Sequence, residues 1–332
     1  MFDHYIAVDW AQNVMAIARL SKEGKNQEVF EIPADIRELK FYLRSKKGRK
    51  YLTFEESTCA QWMYSELKDE VQKLEVCDPR RNRYLTEAQQ TDKIDALKLA
   101  ELGRAGLLKP VFHSGESFIN LRKLISGYED TVRAGVRLKN QRSAILRAQH
   151  ATSEEEVQGT ADKFVLQGLN RKIESYEADK KRYVEEFGSL CKKNNVLKKL
   201  RTIPGIDIIG AVKIAARVVD PKRFVTKQQF YAYCGLVKYE KISGGKSYGK
   251  KRTSYCRCLK NVFDNAALIQ MRAKEDSYFG RYVQHLISER RYPDHKARRA
   301  VSRHVAAISL GVMKGKSYDP DFRRKRIKSV AN

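Results

Sequence analysis

Apolar and polar positions along the first hundred residues follow two alternating periods. Tyr5-Ile6-Ala7-Val8-Asp9 is a short apolar run that ends in an acid, and Val14 to Leu20 and Glu28 to Ile32 follow as strands. Lys22-Glu23-Gly24-Lys25 supplies the turn between those two strands. From Ala34 to Arg44 the spacing of Ile36, Leu39 and Leu43 becomes helical. Tyr51 to Glu56 predicts a fourth strand, again closed by acids, and Trp62, Leu67 and Val71 predict a helix. Leu74 to Cys77 predicts a fifth strand before Asp78-Pro79. Thr91 to Ala100 reads as a helix whose apolar side carries Ile94, Leu97 and Leu99. Three consecutive strands followed by strand–helix–strand units predict a mixed sheet covered by helices.

Past Gly106 the period changes. Phe118, Leu121, Ile125, Tyr128 and Val132 are spaced as in a coiled-coil seam. A polar break from Thr152 to Gly159 interrupts it. The seam resumes as Leu166, Leu169, Ile173, Tyr176, Lys180, Tyr183, Phe187 and Leu190, with Lys180 its one polar position. Two long helices joined by a short loop predict an antiparallel hairpin, packed on its own domain or against a second subunit. Further on, Ile203-Pro204-Gly205-Ile206 precedes a helix from Ile208 to Val219, as in half of a helix-hairpin-helix. Helices follow from Leu259 through Met271, from Tyr278 to Leu286 and from Ala297 to Leu310, the last with His295, Arg298, Arg299 and His304 facing outward.

Charge narrows the class. Sixty-six Lys and Arg against 40 Asp and Glu give a net charge of +26 over 332 residues. An excess this large repels itself in a compact fold and points to a polyanionic partner, nucleic acid above all. Residues 290 to 328 hold thirteen Lys or Arg against Asp294, Asp319 and Asp321. Arg323-Arg324-Lys325-Arg326 suits a tail that tracks a phosphate backbone. No apolar run approaches the ~20 residues of a membrane span. The first residues lack the basic start and apolar core of a secretion signal. Six cysteines without a CxxC pair suit a reduced, cytoplasmic protein with no structural metal.

Candidate chemistry lies in four acids. Asp92 and Asp95 are i,i+3 neighbours whose Cβ atoms stand roughly 5–6 Å apart on a helix. A macrodipole alone could favour them there. Asp9 and Glu56 stand at the ends of predicted strands, where sites of open α/β sheets collect. Either could instead be a solvated turn residue. As a set, four hard oxygen ligands suit Mg²⁺, which binds through one or two carboxylates and substrate phosphates. One or two such ions could stabilise the attacking and leaving oxygens of a phosphodiester.

Ile6-Ala7-Val8-Asp9, Glu56-Ser57-Thr58-Cys59 and Thr91-Asp92-Lys93-Ile94-Asp95-Ala96 resemble the RuvC-like, RNase H-fold domain of the DEDD transposases. These form the insertion-sequence one-hundred-and-ten family, which includes Piv-type DNA invertases. The family reads Glu-Ala-Thr-Gly at its second acid, which favours Glu56 over Glu55, although Cys59 replaces the glycine. The resemblance extends to Ser243-Gly244-Gly245-Lys246, a turn that in the family carries an essential serine. It implies that Ser243 is a nucleophile forming a phosphoserine link to DNA, with Lys246, Lys250 and Lys251 anchoring phosphate. Gly-Gly-Lys-Ser is not a P-loop here, because Glu240 stands where the first glycine belongs. Departures are Val237-Lys238 for the family's proline segment, Asp207 for a glycine after the Pro-Gly turn, and Ser254-Tyr255-Cys256 further on.

The resemblance implies three parts. These are an α/β RNase H-like (RuvC-like) metal domain over 1–110, a coiled-coil helical hairpin over 111–195, and a mainly helical, serine-bearing transposase domain over 196–332. The last holds a small β element and the basic tail with Arg323 and Arg324. It further implies a mobile-element recombinase acting on DNA in the cytoplasm as a dimer or tetramer, with Mg²⁺ and a structured guide RNA that reads sequence by base pairing. A RuvC-like endonuclease without a covalent intermediate, and a silent nucleic-acid-binding relative, are the alternatives.

Overall fold

A computed structural model describes residues 1–79, 91–113, 116–251 and 254–320. It divides into two compact units, Met1–Glu116 and Ser117–Asn332.

The first unit is built on a six-stranded mixed sheet in the order β3-β2-β1-β4-β5-β6. Its strands are β1 (His4–Trp10), β2 (Val14–Ser21), β3 (Glu28–Pro33), β4 (Lys50–Glu55), β5 (Lys73–Cys77) and β6 (Pro110–Val111). β1 pairs antiparallel with β2 and parallel with β4, with Val8 opposite Phe54. The short β6, which the sequence pattern missed, returns antiparallel along β5. Mixed α/β architecture of this kind is compatible with an RNase H-like fold.

Side-chain alternation splits the core by face. Ile6, Val8, Leu52 and Phe54 pack with Leu39 and Leu43 of α1 (Ile36–Ser45) and Met63 of α2 (Ala60–Leu67). Tyr5, Ala7, Ala16 and Ala18 face Ala96, Leu99 and Ala100 of α3 (Asp92–Ala105). Alanines on both surfaces let α3 approach the sheet closely. Thr91 caps this helix by accepting from the Ile94 amide, and Gly106 ends it in the left-handed region at φ +70°.

In the second unit the two predicted long helices are α4 (Glu116–Ala148) and α5 (Thr160–Lys193). They run antiparallel, with Tyr128 edge-on to Tyr183 and Phe187 and with Lys139 paired to Glu177. Gly135 lies against the Tyr176 ring, where a Cβ would stand 2.4 Å from ring carbons. Leu166, Leu169, Ile173, Tyr176 and Phe187 are buried, so the seam closes within one chain. Lys180 lays its ammonium 5.8 Å over the Tyr176 ring and 3.6 Å from Glu177, which is how a polar seam position is tolerated.

The base of the hairpin joins a helical core. Ile125, Tyr128, Phe187 and Cys191 cluster with α6 (Asn195–Leu200), α7 (Ile208–Val218), α8 (Lys227–Tyr233), α9 (Arg257–Gln270), α10 (Tyr278–Gln284) and α11 (Asp294–Met313). The small β element is the hairpin of β7 (Tyr239–Ser243) and β8 (Lys246–Lys251). No described helix is long and apolar enough to cross a membrane.

Candidate functional site

Asp9 is the next-to-last residue of β1. Alternation puts it on the face of Tyr5 and Ala7, under α3. Asp92 and Asp95 are in the first turn of that helix, with Asp95 donating its amide to the Thr91 carbonyl. Three carboxylates therefore gather at one end of the sheet. Burial, and then the charges of Asp92 and Asp95, push the Asp9 carboxyl above the usual aspartate value of 3.8. Asp95 Oδ1 is buried and has no hydrogen-bond partner among the described residues. An orphaned acceptor beside two like charges is costly unless a cation completes it.

Glu56 belongs to a second network. Its amide donates to the Cys77 carbonyl at 2.9 Å, one step past the end of β4. Its Oε2 meets His113 Nε2 at 2.6 Å, and His113 Nδ1 stands 3.0 Å from Gln61 Oε1. The His113 ring stacks on Tyr64 at 5.3 Å, and its side chain is 4% exposed. Sequence reasoning missed His113, because nothing local marks a lone histidine two residues beyond a two-residue strand. By strand alternation Glu55, in step with Tyr51 and Thr53, shares the face of Asp9, whereas Glu56 lies one residue past the strand, where alternation no longer sets its direction.

The structure thus brings Asp9, Asp92 and Asp95 together and gives Glu56 to His113. Among the described residues, no three His, Cys, Asp or Glu side chains converge closely enough to hold an ion as they stand. In chemistry the aspartate set still fits one. All its donors are hard oxygens, and one of them is buried and unsatisfied.

In the second unit, β7 and β8 are exposed along their whole length. Gly244 and Gly245 adopt φ +54° and +75°, as a two-residue turn of the I′ type requires. Ser243 faces Lys246 across that turn. Ser247 Oγ donates to Glu240 Oε1 at 2.7 Å, so this second serine is tied within the hairpin.

Comparison with known proteins covers both regions. The IS110-type DEDD transposase model matches residues 6–150, which hold all four acids. The model described as "Transposase IS116/IS110/IS902 family" matches residues 197–284, which hold Ser243. The chain belongs to the IS110 family of transposases. It is also 24% identical over 261 residues to "Putative transposase y4qE" of Sinorhizobium fredii (strain NBRC 101917 / NGR234). That alignment covers 72% of this chain and 64% of the relative, so the chain spans less than two thirds of its length.

Other expected contacts of this IS110-family chain divide. Lys246, Lys250 and Lys251 are exposed on the hairpin, and Arg298 and Arg299 are exposed on α11. Arg323 and Arg324 lie outside the described residues. His304 does not face outward. Its Nε2 meets Tyr278 Oη at 2.6 Å, and its ring packs on Tyr278 and Tyr282. The reason is helical phase: His304 lies on the same side of α11 as buried Ala297, Val301 and Val305. Asp207, anomalous beside the family's glycine, is the N-cap of α7, its Oδ1 accepting from the Gly210 amide at 2.6 Å. The carboxylate takes a donor that a phosphate at this helix N-terminus would otherwise meet.

Proposed function

We propose that the chain is a mobile-element DNA recombinase in which Asp9, Asp92, Asp95 and Glu56 bind Mg²⁺ and Ser243 is the nucleophile. The observation that carries the metal half is Asp95 Oδ1, buried without a partner among the described residues, beside an Asp9 whose carboxyl is already pushed up. Asp9, Asp92 and Asp95 would hold the cation, with Glu56 oriented for it by His113. A bound divalent ion would neutralise the oxyanion charge that develops on a phosphodiester under attack.

The serine half rests on exposure and resemblance. Ser243 Oγ attacks phosphorus and loses its proton. The bond from phosphorus to one bridging oxygen breaks, and that oxygen leaves as a strand-end hydroxyl after taking up a proton. A hydroxyl of the recipient strand then attacks the phosphoserine, and serine is regenerated as its own leaving group. Such exchange conserves the number of phosphodiester bonds and needs no external energy source. Lys246, Lys250 and Lys251 line the same hairpin and would hold the flanking phosphates.

One observation favours the water-using nuclease instead: Ser243 stands on a fully exposed hairpin, whereas a serine needs a base or metal to become nucleophilic. The two readings separate in one assay. Incubation of the full chain with supercoiled DNA and Mg²⁺, followed by denaturing electrophoresis, should trap a covalent protein–DNA adduct, lost in Ser243→Ala and kept in Ser247→Ala. Nicking without any adduct, undiminished in Ser243→Ala, would establish the nuclease.

The guide RNA rests on the family resemblance, and a net charge of +26 suits any nucleic-acid partner. Nuclease-sensitive RNA that copurifies at high salt and is required for target choice would be the corresponding finding. The subunit number, dimer or tetramer, is open to light scattering of the protein with its nucleic acids.

A further inference from the structure

The chain has two tryptophans, Trp10 and Trp62, and the fold puts them together. Their rings meet edge to face, with centroids 5.7 Å apart at 81°. Trp10 ends β1, directly after Asp9. By alternation it lies on the α2 face, against the core that includes Val8 and Met63. Trp62 stands near the start of α2, one residue after the Gln61 that binds His113. It leaves 45% of its surface in solvent.

Exposed single apolar residues are ordinary, but this one is unusual in position and bracing. Contact with the Trp10 ring restrains the Trp62 indole, so less side-chain freedom is left to lose when a further ring binds it. The pair also lies at the carboxyl end of the sheet that carries Asp9 and Glu56. The excess of positive charge lies in residues 117–332, so this end of the sheet selects its ligand by the exposed indole, which suits a flat π-face such as that of an unpaired base.

We propose that Trp62, braced by Trp10, is a stacking platform for an unpaired base of single-stranded DNA whose backbone passes the carboxylates. The inference rests on the reading above that DNA strands are processed at this end of the sheet. Stacking on an indole tolerates any base, so the platform would hold a separated strand in place without reading its sequence.

Because both tryptophans belong to the site, all intrinsic indole emission reports on it. The test uses the full-length protein in EDTA, titrated with a short thymidine oligomer and with an abasic oligomer of equal length. Emission should be quenched by the first and hardly changed by the second, although labelled versions of both bind. Trp62→Ala should weaken thymidine-oligomer binding about 5- to 150-fold, the usual cost of one stacked base, and leave abasic binding unchanged. Trp62→Phe keeps a ring and should retain most of the affinity, which separates stacking from misfolding. Binding of both oligomers with equal emission changes, or wild-type affinity in Trp62→Ala, overturns the platform and leaves the recombinase reading standing. A response to a uridine RNA oligomer alone overturns its assignment to DNA. Failure to bind any oligomer removes both readings together.

Discussion

Replacing Asp95 by Asn should stabilise the metal-free protein while abolishing its response to Mg²⁺. Asp92 and Asp95 carry like charges one helical turn apart, at about 6 Å. Their repulsion is about 0.7 kcal/mol in a water-like medium and about 3 kcal/mol at the effective dielectric of a protein surface. Asp92 is exposed and Asp95 is partly buried, so a release of about 1–2 kcal/mol is expected. For a unit spanning Met1–Glu116 this corresponds to a rise in Tm of about 4–8 °C. Indole emission isolates the event, because Trp10 and Trp62 both lie in that unit. Wild type should gain stability on adding Mg²⁺, by about 2.7 kcal/mol at a hundredfold excess over its Kd, and Asp95→Asn should gain almost none. The pH profile checks the same cluster through Asp9. Its folded-state pKa is raised, so between 3.8 and that raised value the native state holds the extra proton. Metal-free stability should therefore rise as pH falls from neutral through this window, and the rise should flatten in Asp9→Asn. A lower Tm for Asp95→Asn in EDTA, with an intact Mg²⁺ response, would refute the idea of a cation-deficient carboxylate cluster.

Three further outcomes follow from particular contacts. His113→Ala removes the 2.6 Å partner of Glu56 and should lower Mn²⁺ affinity, measured by calorimetry, about 10- to 100-fold, in step with the nicking rate. Glu55→Gln and Glu56→Gln, compared in the same titration, decide which glutamate serves the cation: Glu56→Gln should abolish the response, and a larger effect from Glu55→Gln would reassign the role. Asp207→Ala deletes the cap of α7 and should cost the second unit about 1 kcal/mol, seen by far-UV dichroism with indole emission unmoved. Restored stability in Asp207→Asn would identify the loss as capping rather than charge.

Local periodicity made much of the architecture legible. Short apolar runs closed by turn residues or acids located β1 to β5, and the spacing of Ile36, Leu39 and Leu43 located α1, because those patterns record which residues of an element meet the core. Gly244-Gly245 announced its own turn, since both positions need φ above zero. Short elements were harder. β6, α6 and α8 have too few residues for a period to repeat, although Thr226 and Gln229 form a capping box that marks the start of α8.

The sequence by itself determined the strands, the long helices, the acids at strand ends and a charge that demands a polyanion. All of these are properties of neighbouring residues or of composition. Tertiary structure alone decided which groups meet: Asp9 beneath Asp92 and Asp95, Glu56 on His113, Trp10 against Trp62, and a seam that closes on its own chain. Each of these pairs is remote in sequence, and its contact depends on strand order, face and crossover. A single residue decides whether a carboxylate is held by the strand, as Glu55 is, or lies past its end, as Glu56 does.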